Sequence, residues 1–426
     1  MTFTSVFCTV LLTCFSFALL AHADDDGCPF NQKECNCFGP YPLSSSNFTS
    51  ANCSTKNLVQ PKFDGTNGEY AISDHLSLTF SAYTIEPRGF VAFNYIGMLE
   101  LIQPIGPGKV TQTWSSDSFY GPYIRGFSVS NVAGVIPPPG SLQQIADGLQ
   151  MLRIINCRED IQLAANRFQS FPNLQMLLIK DTSITSVDDK AFTGLEASLT
   201  DLSLVNAHLN IFPTQAIQPL RNLGNLVLAG NNIQRFDMSN LNGLDWLKMV
   251  DLSGSSSLTA VDISGDVGEV SHNLQYIYLK GTGLKTIDSK LENITSRSNF
   301  NQLDISGVTT LECDASFAWM AVYALCANAR ISAENTTCSN GTQLATYLTE
   351  LVPNACQEPV TSTTVPITTG IVTAESTIAP EVTTTPSVTT TAAAITTTKG
   401  SSSVTSQVSL MVAGAILAIA ANIISG

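Results

Sequence analysis

Leu223-Gly224-Asn225-Leu226-Val227-Leu228-Ala229-Gly230-Asn231-Asn232-Ile233 is the stretch that decides the fold. Leu226 and Leu228 alternate with period two, so its centre reads as a short strand with both leucines on one face. The same spacing recurs along the chain. Leu149, Leu152 and Ile154 repeat it, as do Leu174, Leu177 and Ile179, and then Leu199, Leu202 and Leu204. Further copies hold Leu247, Val250 and Leu252; Leu274, Ile277 and Leu279; and Phe300, Leu303 and Ile305, with a weaker first copy at Ile124, Phe127 and Val129. The copies start at 124, 149, 174, 199, 223, 247, 274 and 300, so they are 24 to 27 residues apart. One such turn cannot bury its apolar face alone. Stacked turns build a continuous apolar column and a parallel sheet along one concave wall, which predicts an α/β solenoid.

The ninth position of each turn carries a second signal. A buried Asn there can bond backbone groups of the loop and link adjacent turns. Asn231 keeps that residue, Cys157 occupies the same place, and Thr182, Ala207, Ser255, Thr282 and Val308 replace it elsewhere. The expectation is an incomplete ladder, with Cys157 a small buried residue rather than a reactive thiol. Between the strands, Phe168, Phe171, Phe192, Leu195, Phe212 and Ile217 recur before each new copy and predict short helices or turns packing the convex side.

A stacked column needs closed ends. Cys28, Cys35, Cys37 and Cys53 lie before the repeats, and Cys313, Cys326, Cys338 and Cys356 after them. Each set predicts a disulfide-stapled cap in an oxidising compartment, with three pairings open per set. Phe317 and Trp319 are the expected core of the second cap. The first set lacks paired C-x2-C spacing, so no zinc site is expected. The segment between Ser54 and Tyr123 fits the repeat poorly and is expected as irregular β structure, with at most one or two degenerate turns. The expected division is a leader 1–23, a cap with irregular β region 24–123, repeats 124–310, a second cap 311–357, a stalk 358–403 and a removed tail 404–426.

The repeats with flanking cysteine clusters resemble extracellular leucine-rich-repeat proteins with cysteine-rich N- and C-terminal caps, over roughly residues 28–356. The turns from Leu199 to Ile233 also look like arthropod members related to the non-catalytic subunit of shrimp luciferase. The first resemblance implies a leucine-rich-repeat horseshoe that binds proteins on its concave face. The second implies an accessory subunit of a secreted enzyme.

Both ends of the sequence read as addresses. Val6 to Leu20 is apolar and Ala21-His22-Ala23 precedes three aspartates, which predicts a signal peptide despite the lack of Lys or Arg before it. From Val360 to Thr398 the chain is dominated by Thr, with Pro366, Pro380 and Pro386, and predicts a disordered, O-glycosylated stalk. Extended at about 3 Å per residue, it would span on the order of 100 Å. Small residues at Gly400, Ser401 and Ser402, a polar spacer and an apolar run from Val408 to Ser425 predict attachment of a glycosylphosphatidylinositol (GPI) lipid. The expected location is the outer face of the plasma membrane, with a secreted form also open.

The 426 residues carry a formal net charge of −14, which argues against a nucleic-acid partner or a basic membrane-surface patch. His75, His208 and His272 sit in no H-E-x-x-H, G-x-S-x-G or Cys/His arrangement, and no phosphate-binding glycine loop is present, so neither an enzyme nor a cofactor is expected. Residues flanking the inward leucines face the concave wall. The expected partner contacts are Met151, Arg153, Met176, Leu178, Lys180, Asp201, Met249, Asp251, Tyr276, Tyr278 and Lys280. Exposed Met, Tyr and Arg are the composition of protein-binding patches. Glycosylation sequons at Asn47, Asn52, Asn293, Asn335 and Asn340 are expected at the caps and one convex loop, leaving the wall free. These features predict a surface module for an extracellular or membrane protein ligand, of adhesion or co-receptor type. A homodimer through the wall, a coat component and the accessory subunit remain alternatives.

Overall fold

The computed structural model describes residues 35–38, 47–54, 68, 70–79, 84–85, 87–103, 113–114, 116–132 and 142–357. The leader, Cys28, the Thr-rich tract and the apolar tail with Gly400, Ser401 and Ser402 lie outside these residues. The chain divides into units Met1–Val360 and Thr361–Gly426, and the fold below is that of the first.

A 13-stranded sheet runs through the described part of this unit in nearly sequential order. Its strands are β1 (Cys35–Phe38), β2 (Asn47–Ser54), β3 (Tyr70–Thr79), β4 (Phe93–Ile102), β5 (Tyr123–Ser130), β6 (Met151–Ile155) and β7 (Met176–Lys180). They continue as β8 (Asp201–Val205), β9 (Asn225–Val227), β10 (Met249–Asp251), β11 (Tyr276–Tyr278), β12 (Gln302–Asp304) and β13 (Ile331–Ser332). Only β1 and β2 pair antiparallel; from β2 onward every neighbour is parallel. An antiparallel first strand can be joined to β2 by a short connection, where another parallel strand would require a further turn. The protein is thus a leucine-rich-repeat solenoid. Its strand leucines form the column that the spacing requires: Leu152, Leu177, Leu202, Leu226, Val250, Ile277 and Leu303 are all fully buried.

The segment expected as irregular instead supplies two of the longest strands, β3 and β4, in register with the repeats. Ile96, Leu99 and Leu101 carry the repeat spacing and are buried like the later leucines. The neighbouring turn escapes the template because the register slips between Ile72 and His75, inserting a residue into the I-x-x-L interval. The array therefore starts well before Ile124.

From β5 to β12 the chain leaves the sheet through a left-handed residue: Asn131, Asn156, Asp181 and Asn206 in the first half, then Gly230, Gly254, Gly281 and Gly307. Asn and Asp tolerate this conformation and Gly adopts it freely, which explains the residue choice at that position. The ninth-position ladder is more complete than a count of asparagines suggests. Asn231, 2% exposed, accepts from the Ala207 and Leu209 amides at 3.1 and 3.0 Å and donates to the Leu204 and Leu228 carbonyls at 2.7 and 2.8 Å. Where Asn is missing, hydroxyls substitute. Thr182 accepts from the Cys157 amide at 2.9 Å, and Ser255 accepts from the Asn231 amide at 3.2 Å.

On the convex side the apolar residues pack in turns, 3-10 segments and short helices such as α1 (Thr214–Ile217) and α2 (Glu292–Thr295). Phe168 stacks on Phe192 with ring centres 6.0 Å apart, and Phe212 meets Phe236 edge-on. Short parallel strands line this side as well, Arg235–Asp237, Ala260–Asp262 and Thr286–Ile287 among them. Disulfides Cys313–Cys338 and Cys326–Cys356 hold the C-terminal cap, whose helices α3 (Met320–Leu325) and α4 (Leu344–Leu351) pack with buried Phe317 and Trp319. In the N-terminal cap Cys37 and Cys53 each take part in a disulfide. Cys28 and the Cys35 side chain lie outside the described residues.

Candidate functional site

The parallel register sorts the outward side chains of the sheet into straight rows. The first holds His75, Met98, Gly126, Met151, Met176, Asp201, Asn225, Met249, Tyr276 and Gln302. The second holds Asn52, Ser77, Glu100, Ser128, Arg153, Leu178, Ser203, Val227, Asp251, Tyr278 and Asp304. Nine of the eleven residues expected on the wall stand in these two rows; Lys180 closes β7 and Lys280 follows β11. Neighbours in a row are separated by the interstrand spacing of about 4.8 Å. Most are half-buried, flanked by fully buried leucines on either side along the strand. The result is an ordered face that is partly desolvated before any ligand arrives.

One expectation about this face needs correction. Asn52 of the Asn52-Cys53-Ser54 sequon is exposed and lies in the second row, in line with Ser77, Glu100 and Arg153. The wall is therefore not clear of sequons. The reason is that the sheet extends four strands further towards the N-terminus than the repeat template indicates. Asn293 is exposed on α2, and Asn335 and Asn340 are exposed in the C-terminal cap. The Asn47 side chain lies outside the described residues.

Charge is distributed unevenly along the rows. At the N-terminal end His75 Nε2 lies 3.1 Å from Glu100 Oε2, and the Ser77 hydroxyl donates to the same oxygen at 3.3 Å. The His75 hydrogen bond holds the Glu100 carboxyl below the ordinary range against the opposing effect of burial, and Arg153 adds attraction. These residues were not legible as a site because their segment was expected as irregular β structure, without the register that joins it to the repeats. In the middle, Asp201 accepts from Thr200 and Asn225, both at 2.6 Å. Lys180 stands 4.0 Å from Asp181.

The C-terminal end differs. Tyr276 and Tyr278 stack with ring centres 6.0 Å apart and planes 15° from parallel. Tyr278 has Asp251 beside it on β10 and Asp304 on β12. Each carboxylate accepts from a backbone amide, Ser253 for Asp251 at 2.8 Å and Ser306 for Asp304 at 2.9 Å. Among the described residues neither forms an ion pair. Burial pushes the Asp251 carboxyl up, with Asp304 adding to the shift. Burial also raises the Tyr278 phenol, helped by Tyr276 and the two aspartates.

Cys157 is 7% exposed and unpaired, with burial pushing its thiol up to about 11. That matches a structural residue. His208 is exposed in a left-handed turn at φ 57° and lines an open groove of about 570 Å3 with Ile184, Ile211 and Phe212. Among the described residues no three metal-ligating side chains converge, and no helix is long and apolar enough to cross a membrane.

Residues 172–233 match the family model for the leucine rich repeat. The solved structures similar to this chain include the TLR13–ssRNA13 complex, at 20% identity and TM-score 0.49, covering 62% of this chain and 36% of that one. The mouse RP105/MD-1 complex shares 18% identity at TM-score 0.41, covering 59% of this chain and 45% of that one. The Drosophila Toll–Spatzle complex shares 14% identity at TM-score 0.40, covering 68% and 44%. The chain thus spans less than half the length of these three solved chains. No curated protein sequence matches it.

Proposed function

We propose that this leucine-rich-repeat protein is a non-catalytic module that captures an extracellular or membrane-bound protein on its concave wall. The observation that carries this reading is the composition of an otherwise polar sheet face: Met151, Met176, Leu178, Met249, Tyr276 and Tyr278 stand outward and half-buried along two rows. Solubility alone favours polar residues at such positions, whereas aromatic and Met side chains anchor protein interfaces. Arg153 at one end and Asp251 at the other supply charges that would fix orientation. Two disulfides in the C-terminal cap support an oxidising, extracellular setting. The sequence signals for a leader, a glycosylated stalk and a lipid attachment point within Gly400–Ser402 support a location at the outer face of the plasma membrane. A lipid-anchored protein of this kind acts by adhesion, by ligand capture or through a membrane-spanning partner.

The test is proximity labelling from the full chain displayed on cells, comparing wild type with Arg153→Glu and Met176→Arg. Both substitutions alter the wall and leave the leucine column intact. Loss of the same labelled proteins in both variants is the expected result. Unchanged labelling in both would refute the wall as the binding face.

A further inference from the structure

The two ends of the concave wall differ in whether their charges are already answered. At the N-terminal end Glu100 is matched by His75 at 3.1 Å and by the nearby Arg153 charge. At the C-terminal end Asp251 is met by Ser253 and Asp304 by the Ser306 amide, both neutral donors, and among the described residues no lysine or arginine pairs with either. They stand one strand to each side of Tyr278, so about 10 Å separates their backbone positions, twice the interstrand spacing. Tyr278 stands between them in the row, and Tyr276 stacks against one face of its ring with centres 6.0 Å apart.

A carboxylate held half-buried with no counter-charge is costly to the fold. An aromatic ring between two such groups supplies what a positive charge requires: a negative π face and an anion on either side. A guanidinium fits this arrangement well, since it is planar, stacks on rings and can donate to both carboxylates from its fork.

We propose that the C-terminal end of the wall takes an arginine or lysine side chain of a basic peptide segment, with Asp251 and Asp304 as its counter-charges and the ring face of Tyr278 that Tyr276 leaves uncovered beside it. The proposal deepens the reading of the wall as a protein-binding face and rests on it. The ligand chemistry is a cationic protein segment; an acidic or purely apolar partner would leave both carboxylates unanswered.

The test uses the purified full chain and a fluorescein-labelled synthetic peptide of alternating arginine and glycine, with a glutamine-for-arginine peptide as the control, read by fluorescence anisotropy at about 0.15 M salt. Because the chain carries a net charge of −14, any basic peptide is attracted to some extent. The comparison is therefore between D251N/D304N and D189N/E350Q, which removes the same charge from exposed positions away from the wall. Asn keeps the acceptor for the Ser253 and Ser306 amides, so the wall variant retains its local bonds. The expected result is a loss of roughly tenfold or more in D251N/D304N and less than about twofold in D189N/E350Q. Tyr278→Phe should bind like wild type and Tyr278→Leu several-fold more weakly, since only the ring face is needed. Equal affinities in the two charge variants would overturn the proposal, and so would full binding in Tyr278→Leu. If either occurs while Arg153→Glu and Met176→Arg still abolish partner labelling, the wall stands as a binding face and the cation site alone falls.

Discussion

Replacing Asn231 by Ala should be among the most damaging single changes in the array, although Asn231 touches no expected partner. The amide makes four well-formed bonds in a site 2% exposed: two from the Ala207 and Leu209 amides and two to the Leu204 and Leu228 carbonyls. Alanine strands both buried donors, at about 1–3 kcal/mol each. The carbonyls add less, because a carbonyl with two lone pairs is easier to leave under-satisfied than an amide. The sum is about 4 kcal/mol, against a typical domain stability of about 5–15 kcal/mol. Asn231→Thr should lose roughly half as much, about 2 kcal/mol. The chain already displays that chemistry at Thr182, whose hydroxyl accepts from Cys157 at 2.9 Å and donates to Lys180 at 3.0 Å, one donor and one acceptor satisfied instead of two each. Asn232→Ala is the control. That side chain is exposed, so the change should stay within about 0.5 kcal/mol. Urea unfolding of the purified protein gives the ranking, and hydrogen exchange at the Ala207 and Leu209 amides locates the damage if the array frays locally instead of melting as one unit. An Asn231→Ala midpoint within about 1 kcal/mol of the Asn232→Ala control, with both amides still protected, would refute the ladder as a source of stability.

Asp251→Asn should raise the urea midpoint at pH 7. Burial raises the folded carboxyl above its unfolded value near 3.9, so wild type loses stability as pH rises from there through the folded value. The gain from Asn should therefore be full at neutral pH and vanish in acid; a gain that persists unchanged below pH 3.9 would contradict a charge origin. Cys157 should react with iodoacetamide about 100-fold more slowly in the native protein at pH 8 than in urea, because a thiol pushed up to about 11 holds little thiolate and is 7% exposed. Equal labelling rates with and without urea would place this turn outside the packed column.

The spacing of leucines was enough to define the turns from Leu149 to Ile305, the direction of their side chains and the membership of the concave rows. The physical reason is that period-two alternation within a strand and stacking between turns are both local rules. Two turns before Ile124 were allowed for only as degenerate copies within an irregular β segment, though Ile96, Leu99 and Leu101 lie 28 residues ahead of Ile124, Phe127 and Val129 with the same internal spacing. A slightly longer permitted interval would have found the second of them. The first could not be found that way, because the extra residue between Ile72 and Leu76 breaks the internal spacing that defines the template, and only the pairing with the next strand absorbs it. That omission concealed His75, Glu100 and the placement of Asn52 on the wall.

The repeating unit, its period, its apolar interior and the cysteine-flanked ends were all legible in the sequence, since each is a property of a residue and its near neighbours. Which charges on the wall are answered and which are not is a matter of tertiary structure. His75 and Glu100 are 25 residues apart in the chain yet 3.1 Å apart in space. Asp251 and Asp304 lie on strands separated by one other, facing the same tyrosine. Register between turns sets those distances, and register depends on how many residues each convex loop consumes before the chain re-enters the sheet.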